Sequence, residues 1–187
     1  MRVITGLARG RRLKEPEGMA IRPTTDQVKE SIFNIIQYDI EGRNVLDLFA
    51  GTGQLGIEAL SRGAASVVFV DESSAAMKLV RENIKRTGLG NARTVQADAL
   101  SYLRGPEKFD LIFVDPPYDR PVLDKTLSKI IEFDKLNENG IIICESKTET
   151  EMPELSDPYK KLREYRYGRG KITVYTKSSN RQNEADD

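Results

Sequence analysis

The chain has 187 residues, of which 39% are apolar and 31% charged, and its formal net charge is zero. This length and composition suit one globular domain, and the total charge favours neither an acidic nor a basic partner. The single cysteine and the absence of histidine exclude Ser-His-Asp and Cys-His catalysis and the usual zinc sites. No apolar run approaches the ~20 residues of a membrane-spanning helix, and the N-terminus lacks a secretory signal. We therefore expect a cytoplasmic monomer with neither a metal nor a membrane partner.

Residues 1–22 are predicted to form a basic N-terminal arm. Glycines at positions 6 and 10 interrupt β-branched residues, a pattern typical of a short β-hairpin. The charge along the chain is uneven, because residues 160–177 carry seven Lys or Arg against Glu164 alone. The first 14 residues contain no acid and five cations, namely Arg2, Arg9, Arg11, Arg12 and Lys14.

A domain over residues 23–177 is predicted from alternating strand and helix patterns. A capping-box pattern at Thr24–Gln27 and apolar residues at helical spacing predict a helix over residues 25–37. From Asn44, apolar runs such as VLDLF, SVVFVD and FDLIFVD alternate with amphipathic stretches, including a predicted helix over Ser74–Thr87. This alternation indicates an α/β fold with a doubly wound, mostly parallel, seven-stranded sheet.

The C-terminal part of the chain is predicted to differ from the middle of the domain. KLREYRY and KITVYTK are joined by Gly168-Arg169-Gly170, which leaves no room for a crossover helix and predicts an antiparallel C-terminal hairpin. The last ten residues, 178–187, are polar and are expected to form a disordered tail.

A glycine-rich loop follows the first buried strand. Gly51-x-Gly53-x-x-Gly56 matches a dinucleotide fingerprint, and Asp71 follows at the offset expected for a ribose contact. Enzymes that use NAD and enzymes that use S-adenosylmethionine both hold adenosine in this way, so the fingerprint alone leaves both open. Asp47, just before the turn, would repel a pyrophosphate but could face a sulfonium or ammonium group. Asp98, after the third strand, is placed to accept from an adenine amine.

The fourth predicted strand ends in Asp115-Pro116-Pro117-Tyr118, a string with no role in hydride transfer. An exocyclic amine is a weak nucleophile because its lone pair is delocalised into the ring. Asp115 and a backbone carbonyl could accept its two hydrogens and favour attack on a methyl group. The two prolines stiffen the loop, and Tyr118 could stack on an extruded base. The string resembles the signature of methyltransferases that act on planar nitrogen.

Four segments in this order, GxxRGRxL, RPTTDQVKESIFNII, DLFAGTGQLGIEALSRGA and FVDPPY, resemble the bacterial small-subunit ribosomal RNA guanine-N2 methyltransferase family, named for guanine 966 of 16S RNA. The resemblance covers about Val3 to Thr176. It implies a class I methyltransferase with a Rossmann-like fold, S-adenosylmethionine as cofactor, and 16S ribosomal RNA within the small subunit as partner. It also implies that the segment Arg22-Pro23-Thr24 lies near the cofactor and substrate.

Three sets of candidate residues follow from the motifs and the resemblance. The basic arm suits an RNA partner, because arginines neutralise phosphates and stack on bases. We also expect the arm and the C-terminal hairpin to flank the mouth of the site. Other planar-nitrogen methyltransferases, an NAD oxidoreductase and a non-catalytic RNA-binding module remain as alternatives. The candidates are, for catalysis, Asp115, Pro116, Pro117 and Tyr118; for the cofactor, Asp47, Phe49, Ala50, Gly51, Thr52, Gly53, Asp71, Asp98, Ala99, Arg22 and Thr24; and for RNA, Arg9, Arg11 and Arg12.

Overall fold

The computed structural model describes residues 1–16, 25–117 and 122–179. Three predicted site residues, Arg22, Thr24 and Tyr118, and residues 180–187 of the predicted tail lie outside these ranges. Within the described ranges no helix is both long and apolar enough to cross a membrane. The elements in chain order are α1 (Asp26–Ile35), β1 (Asn44–Leu48), α2 (Gln54–Ser61), β2 (Ser66–Asp71), α3 (Ser74–Thr87), β3 (Ala92–Gln96), α4 (Ala99–Tyr102), β4 (Phe109–Val114), α5 (Leu123–Glu132), β5 (Leu136–Lys147), β6 (Tyr159–Tyr167) and β7 (Gly170–Lys177).

The strands form one seven-stranded sheet in the order β3-β2-β1-β4-β5-β7-β6. The first five strands of this order pair in parallel, whereas β7 pairs antiparallel with both β5 and β6. The predicted fold class is therefore confirmed, including the antiparallel C-terminal hairpin. The strand order reverses between β1 and β4, and open α/β sheets bind ligands at such a switch point, outside the carboxyl ends of the strands.

Helices cover both faces of the sheet, as near-continuously apolar parallel strands require. On one face, α1, α2, α3 and the N-terminal segment enclose a core that includes Phe33, Phe69 and Phe113. On the other face, α4 and α5 pack over Ile112 and Ile142. The two cores fix the sheet from both sides and hold the carboxyl ends of the strands in place at one edge.

Local sequence signals determine where the helices begin and end. The Thr25 hydroxyl accepts from the Val28 amide at 3.3 Å and caps α1. The Ser73 hydroxyl caps α3 in the same way, and Gly88 ends that helix in the left-handed conformation. The predicted bounds of α3, Ser74–Thr87, are confirmed because both end signals are local.

The N-terminal segment packs along α2. It forms a hairpin whose two sides are joined by an antiparallel bridge between Arg2 and Arg12. The Ile4 and Thr5 amides donate to the buried Glu58 carboxylate at 2.8 and 2.9 Å. Near the tip of the hairpin, the Leu7 amide donates to the Ser61 carbonyl at the end of α2. Buried backbone donors cost free energy unless they are paired, so these bonds anchor the segment to the domain.

Candidate active site

One cleft, with a volume of about 1370 Å³, lies at the carboxyl ends of the parallel strands. It extends from the glycine-rich loop after β1 to the turn between β6 and β7. Gly53 belongs to the loop but does not line the cleft. The predicted site residues that line it are Asp47, Phe49, Ala50, Gly51, Thr52, Asp71, Asp98, Ala99, Asp115, Pro116 and Pro117.

The loop after β1 combines an unusual backbone conformation with close packing. Phe49 has a φ of 73°, in the left-handed region where residues other than glycine are uncommon. A Cβ on Gly56 would lie 2.3 Å from the Phe69 ring carbon Cε1. Gly56 is thus required for α2 to pack on β2, rather than for contact with a ligand. The left-handed backbone of Phe49 is of the strained type that concentrates at ligand-binding sites.

Three aspartates at the ends of β1, β2 and β3 accept hydrogen bonds from backbone amides of the loops at this end of the sheet. Asp47 Oδ2 accepts from the Gly56 amide at 3.0 Å. Asp71 accepts from two amides at 2.9 Å, that of Gly51 through Oδ2 and that of Ser73 through Oδ1. Asp98 accepts from the Ser101 amide at 2.8 Å and caps α4. These bonds fix the orientation of each carboxyl group, and all three side chains line the cleft.

Asp47 is the most deeply buried of the three, with 2% of its surface exposed. Burial raises the pKa of Asp47 from 3.8 to about 7, and the nearby charge of Asp71 adds to this rise, while the Gly56 amide opposes it. A buried carboxylate that is costly to ionise gains most from a neighbouring cation. Asp47 therefore suits the cationic part of a ligand.

The other end of the cleft begins at Asp115, Pro116 and Pro117, directly after β4. Glu145 of β5 lies beside them, and Tyr167 lines the same end. Burial raises the pKa of the Cys144 thiol, and the charge of Asp115 raises it further. Cys144 is thus a buried neutral thiol rather than a nucleophile.

Glu145 was not predicted as a site residue from the sequence. It lies at the end of an apolar run, and its position beside Asp115 is evident only from the register of β5 with β4.

Of the two basic segments expected to flank the mouth of the site, the structure places the C-terminal hairpin in the wall of the cleft. Arg169 lies on the turn of the C-terminal hairpin and lines the cleft, as do Lys125 of α5 and Lys147 of β5. The predicted RNA contacts Arg9, Arg11 and Arg12 are exposed but do not line it. The hairpin tip is bound at Ser61, one helix length of about 12 Å from the glycine-rich loop. Packing on α2 places the tip near the amino ends of the parallel strands, away from the carboxyl ends where the cleft lies.

A buried asparagine links the N-terminal segment to the glycine-rich loop. Asn83 of α3 is fully buried. Its Oδ1 accepts from the Lys14 amide at 2.7 Å, and its Nδ2 donates to the Thr52 carbonyl at 3.0 Å and the Lys14 carbonyl at 3.2 Å. The position of the loop is therefore tied to that of the N-terminal segment. No local sequence signal identifies this contact, because the partners are far apart in the chain.

The strand order, the glycine-rich loop and the Asp-Pro-Pro string after β4 together define a methyltransferase of the Rossmann-like class I fold. A solved structure supports this on shape, since the chain superimposes on "Putative methyltransferase yhhF from Escherichia coli" with a TM-score of 0.85 and 35% identity, covering 95% of this chain and 98% of that one. The chain belongs to the family described as Conserved hypothetical protein 95, whose model matches residues 1–176.

Two relatives match over nearly their whole length. "Ribosomal RNA small subunit methyltransferase D" of Escherichia coli strain K12 is 34% identical over 187 residues, which cover 100% of this chain and 94% of that protein. "Putative rRNA methyltransferase YlbH" of Bacillus subtilis strain 168 is 43% identical over 182 residues, covering 95% and 99%. The similarity therefore includes both ends of the cleft.

Proposed function

We propose that this protein transfers a methyl group from S-adenosylmethionine to the exocyclic N2 of a guanine in 16S ribosomal RNA of the small subunit. One observation carries the proposal. The carboxylates beside the glycine-rich loop and the Asp115-Pro116-Pro117 string line the same cleft. The names of the two relatives support ribosomal RNA as the substrate class. Such a substrate also implies a cytoplasmic protein.

The end of the cleft formed by the loops after β1, β2 and β3, here termed the cofactor end, fits S-adenosylmethionine. Asp71 suits the ribose hydroxyls, and Asp98 suits the adenine amine. Asp47 suits the ammonium or sulfonium charge, because a cation compensates the cost of ionising a buried carboxyl group. Phe49, Ala50, Gly51, Thr52, Gly53 and Ala99 complete the proposed cofactor site. Arg22 and Thr24 remain part of the proposal from the resemblance.

The other end, formed by the residues after β4, by β5 and by the β6–β7 turn, is termed the acceptor end. S-adenosylmethionine held at the cofactor end would supply an electrophilic methyl group to the base nitrogen, and its sulfur would be left as a neutral thioether. Asp115 accepts a hydrogen bond from the attacking amine and stabilises the positive charge that develops on it. Pro116 and Pro117 restrict the backbone that carries this carboxylate. The amine then loses one proton to solvent, so no histidine is required.

The alternatives fit the cleft less well. A dinucleotide pyrophosphate binds at the amide groups of a helix N-terminus. Here the buried Asp47 carboxyl group accepts from the Gly56 amide in the first turn of α2, and a neighbouring pyrophosphate would add to the cost of ionising it instead of offsetting that cost. A non-catalytic RNA-binding module would not need a cofactor loop and an acceptor motif in one cleft.

The test is incubation of the purified protein with methyl-labelled S-adenosylmethionine and four separate pools: small ribosomal subunits, free 16S RNA, DNA and protein. We expect label in the ribosomal RNA pools. Label confined to DNA or protein would contradict the proposed substrate. Tight binding of NADH without binding of S-adenosylmethionine would contradict the proposed cofactor.

A further inference from the structure

Two carboxylates come together at the acceptor end through strand register. Parallel strands β4 and β5 pair Phe113 with Ile143 and Val114 with Cys144. The next residues along the two strands are Asp115 and Glu145. Neighbouring strands lie about 4.8 Å apart, so these residues occupy adjacent positions at the carboxyl edge of the sheet.

The two side chains also share a face of the sheet. Side chains alternate between faces along a strand. Phe113 and Ile143 belong to the core under α1, α2 and α3, so Asp115 and Glu145, each two residues further on, project to that same side. Both are partly exposed and line the cleft. The acceptor end thus presents two carboxylates side by side.

A pair of adjacent acceptors matches one base edge. Guanine carries two neighbouring donors on its Watson–Crick edge, the N1–H group and the N2 amine. Adenine and 2,6-diaminopurine have an unprotonated N1, whose lone pair a carboxylate repels. Cytosine and adenine each carry a single exocyclic amine next to an acceptor nitrogen. Two carboxylates at this spacing therefore complement guanine and disfavour the other amine-bearing bases.

We propose that Glu145 determines base specificity by accepting the N1–H hydrogen bond of the target guanine, while Asp115 accepts from the N2 amine that is methylated. This inference rests on the proposed function. It assigns to Glu145 a direct contact with the substrate. The cleft also provides the aromatic side chain of Tyr167 at this end, against which a planar base can stack.

The test compares two target bases that both carry the N2 amine and differ in the protonation of N1 and in the group at C6, and variants at Glu145 distinguish the two differences. Small subunits are reconstituted with ligated 16S RNA that has guanine or 2,6-diaminopurine at the position the wild-type enzyme methylates. We expect the wild type to prefer guanine by about 10-fold to 100-fold in kcat/KM, the range for one charged base-edge contact. Glu145→Gln should reduce methylation of guanine and bring the preference to within about threefold, because the amide can donate to an unprotonated N1.

Matched variants separate this contact from a general effect of charge. Glu149→Gln removes a carboxylate from the same cleft on the turn beyond β5 and should keep the wild-type preference for guanine. Glu145→Asp should restore part of that preference. A wild-type preference in Glu145→Gln, or an equal loss in Glu149→Gln, would overturn the role of Glu145. Failure of the wild type to methylate guanine at all would instead contradict the proposed function.

Discussion

The two ends of the cleft are built in different ways. At the cofactor end, each of the three aspartates accepts hydrogen bonds from backbone amides no more than 20 residues away in the chain. At the acceptor end, Asp115 and Glu145 come from different strands, 30 positions apart in the sequence, and the register of β4 with β5 brings them together. The cofactor end is therefore held by its own loops, whereas the acceptor end depends on how the sheet is assembled. Variants at the two ends should separate binding from chemistry.

Loss of Asp115 should have the largest effect. Asp115→Ala removes the acceptor for the attacking amine, and loss of one such stabilising group typically lowers kcat by about 100-fold to 1000-fold. Affinity for S-adenosylmethionine should change by less than about threefold, because Asp115 binds the other substrate. Single-turnover kinetics and calorimetry on the same preparation measure the two quantities. Near wild-type methyl transfer at saturating substrate would remove Asp115 from the reaction.

Loss of Asp71 should weaken cofactor binding much more than it lowers kcat. Asp71→Ala removes the proposed ribose contacts and also leaves the Gly51 and Ser73 amides without their acceptor. Charge-assisted bonds of this kind contribute about 1.5–3 kcal/mol each, so affinity for S-adenosylmethionine should fall by at least about tenfold. Calorimetry measures the affinity, and kcat at saturating cofactor should fall much less. An unchanged affinity would show that Asp71 does not contact the ribose.

The raised pKa of Asp47 predicts a pH dependence of stability. In the folded protein Asp47 keeps its proton up to about pH 7, whereas its ordinary pKa is 3.8. Unfolding therefore releases a proton between these values, and the folded protein loses stability as the pH rises from about 4 to 7. Asp47→Asn should abolish this loss and raise the free energy of unfolding at pH 7.5, by about 4 kcal/mol at most. Denaturant titrations without cofactor at pH 4.5 and 7.5 measure it.

The same substitution should weaken cofactor binding. Affinity of the wild type for S-adenosylmethionine should increase by roughly tenfold from pH 5.5 to 7.5, since a cation favours the ionised carboxylate. Asp47→Asn should bind more weakly and lose most of this increase. Equal affinities for the two proteins across the range would show that Asp47 does not face the cationic part of the cofactor.

The smallest effect is expected at the N-terminal arginines, which do not line the cleft. Replacing Arg9, Arg11 and Arg12 with Gln should leave cofactor affinity unchanged and reduce affinity for the small subunit a few-fold. For every phosphate that is no longer neutralised, the slope of log affinity against log salt should decrease by somewhat less than about one. Arg169→Gln, at the mouth of the cleft, is the matched comparison. Superimposed salt plots for the wild type and the triple variant would show that these arginines do not engage RNA.

The sequence predicts the cofactor end better than the acceptor end for a physical reason. The glycine-rich loop, Asp71 and the bounds of α3 follow from signals within a few residues, such as the Ser73 cap and Gly88. Glu145 gives no such signal, because its proximity to Asp115 depends on strand pairing. Strand β5 also begins before its apolar run at residues 141–144, since it starts at Leu136 and its register with β4 shifts between Phe109 and Leu111.

The position of the N-terminal segment also depends on contacts between residues far apart in the chain, which the sequence does not reveal. Its hairpin pattern could be recognised from the sequence, and the bridge between Arg2 and Arg12 is present. The contacts that determine its position are made by Glu58 and Asn83, which lie on α2 and α3. Buried polar partners so far away in the chain leave no periodic pattern in the sequence. The arginines of this hairpin do not line the cleft, and their contact with RNA stays a prediction.

Nucleoside analysis of the methylated RNA tests the central claim most directly. Small subunits that lack the modification are incubated with the protein and methyl-labelled S-adenosylmethionine, and the 16S RNA is then digested and separated by chromatography with mass detection. If the cleft joins a cofactor end to an acceptor end shaped for guanine, all of the label will be in N2-methylguanosine, and Asp115→Ala will reduce it by about 100-fold or more. Label in N6-methyladenosine or in a methylated cytidine would contradict the account.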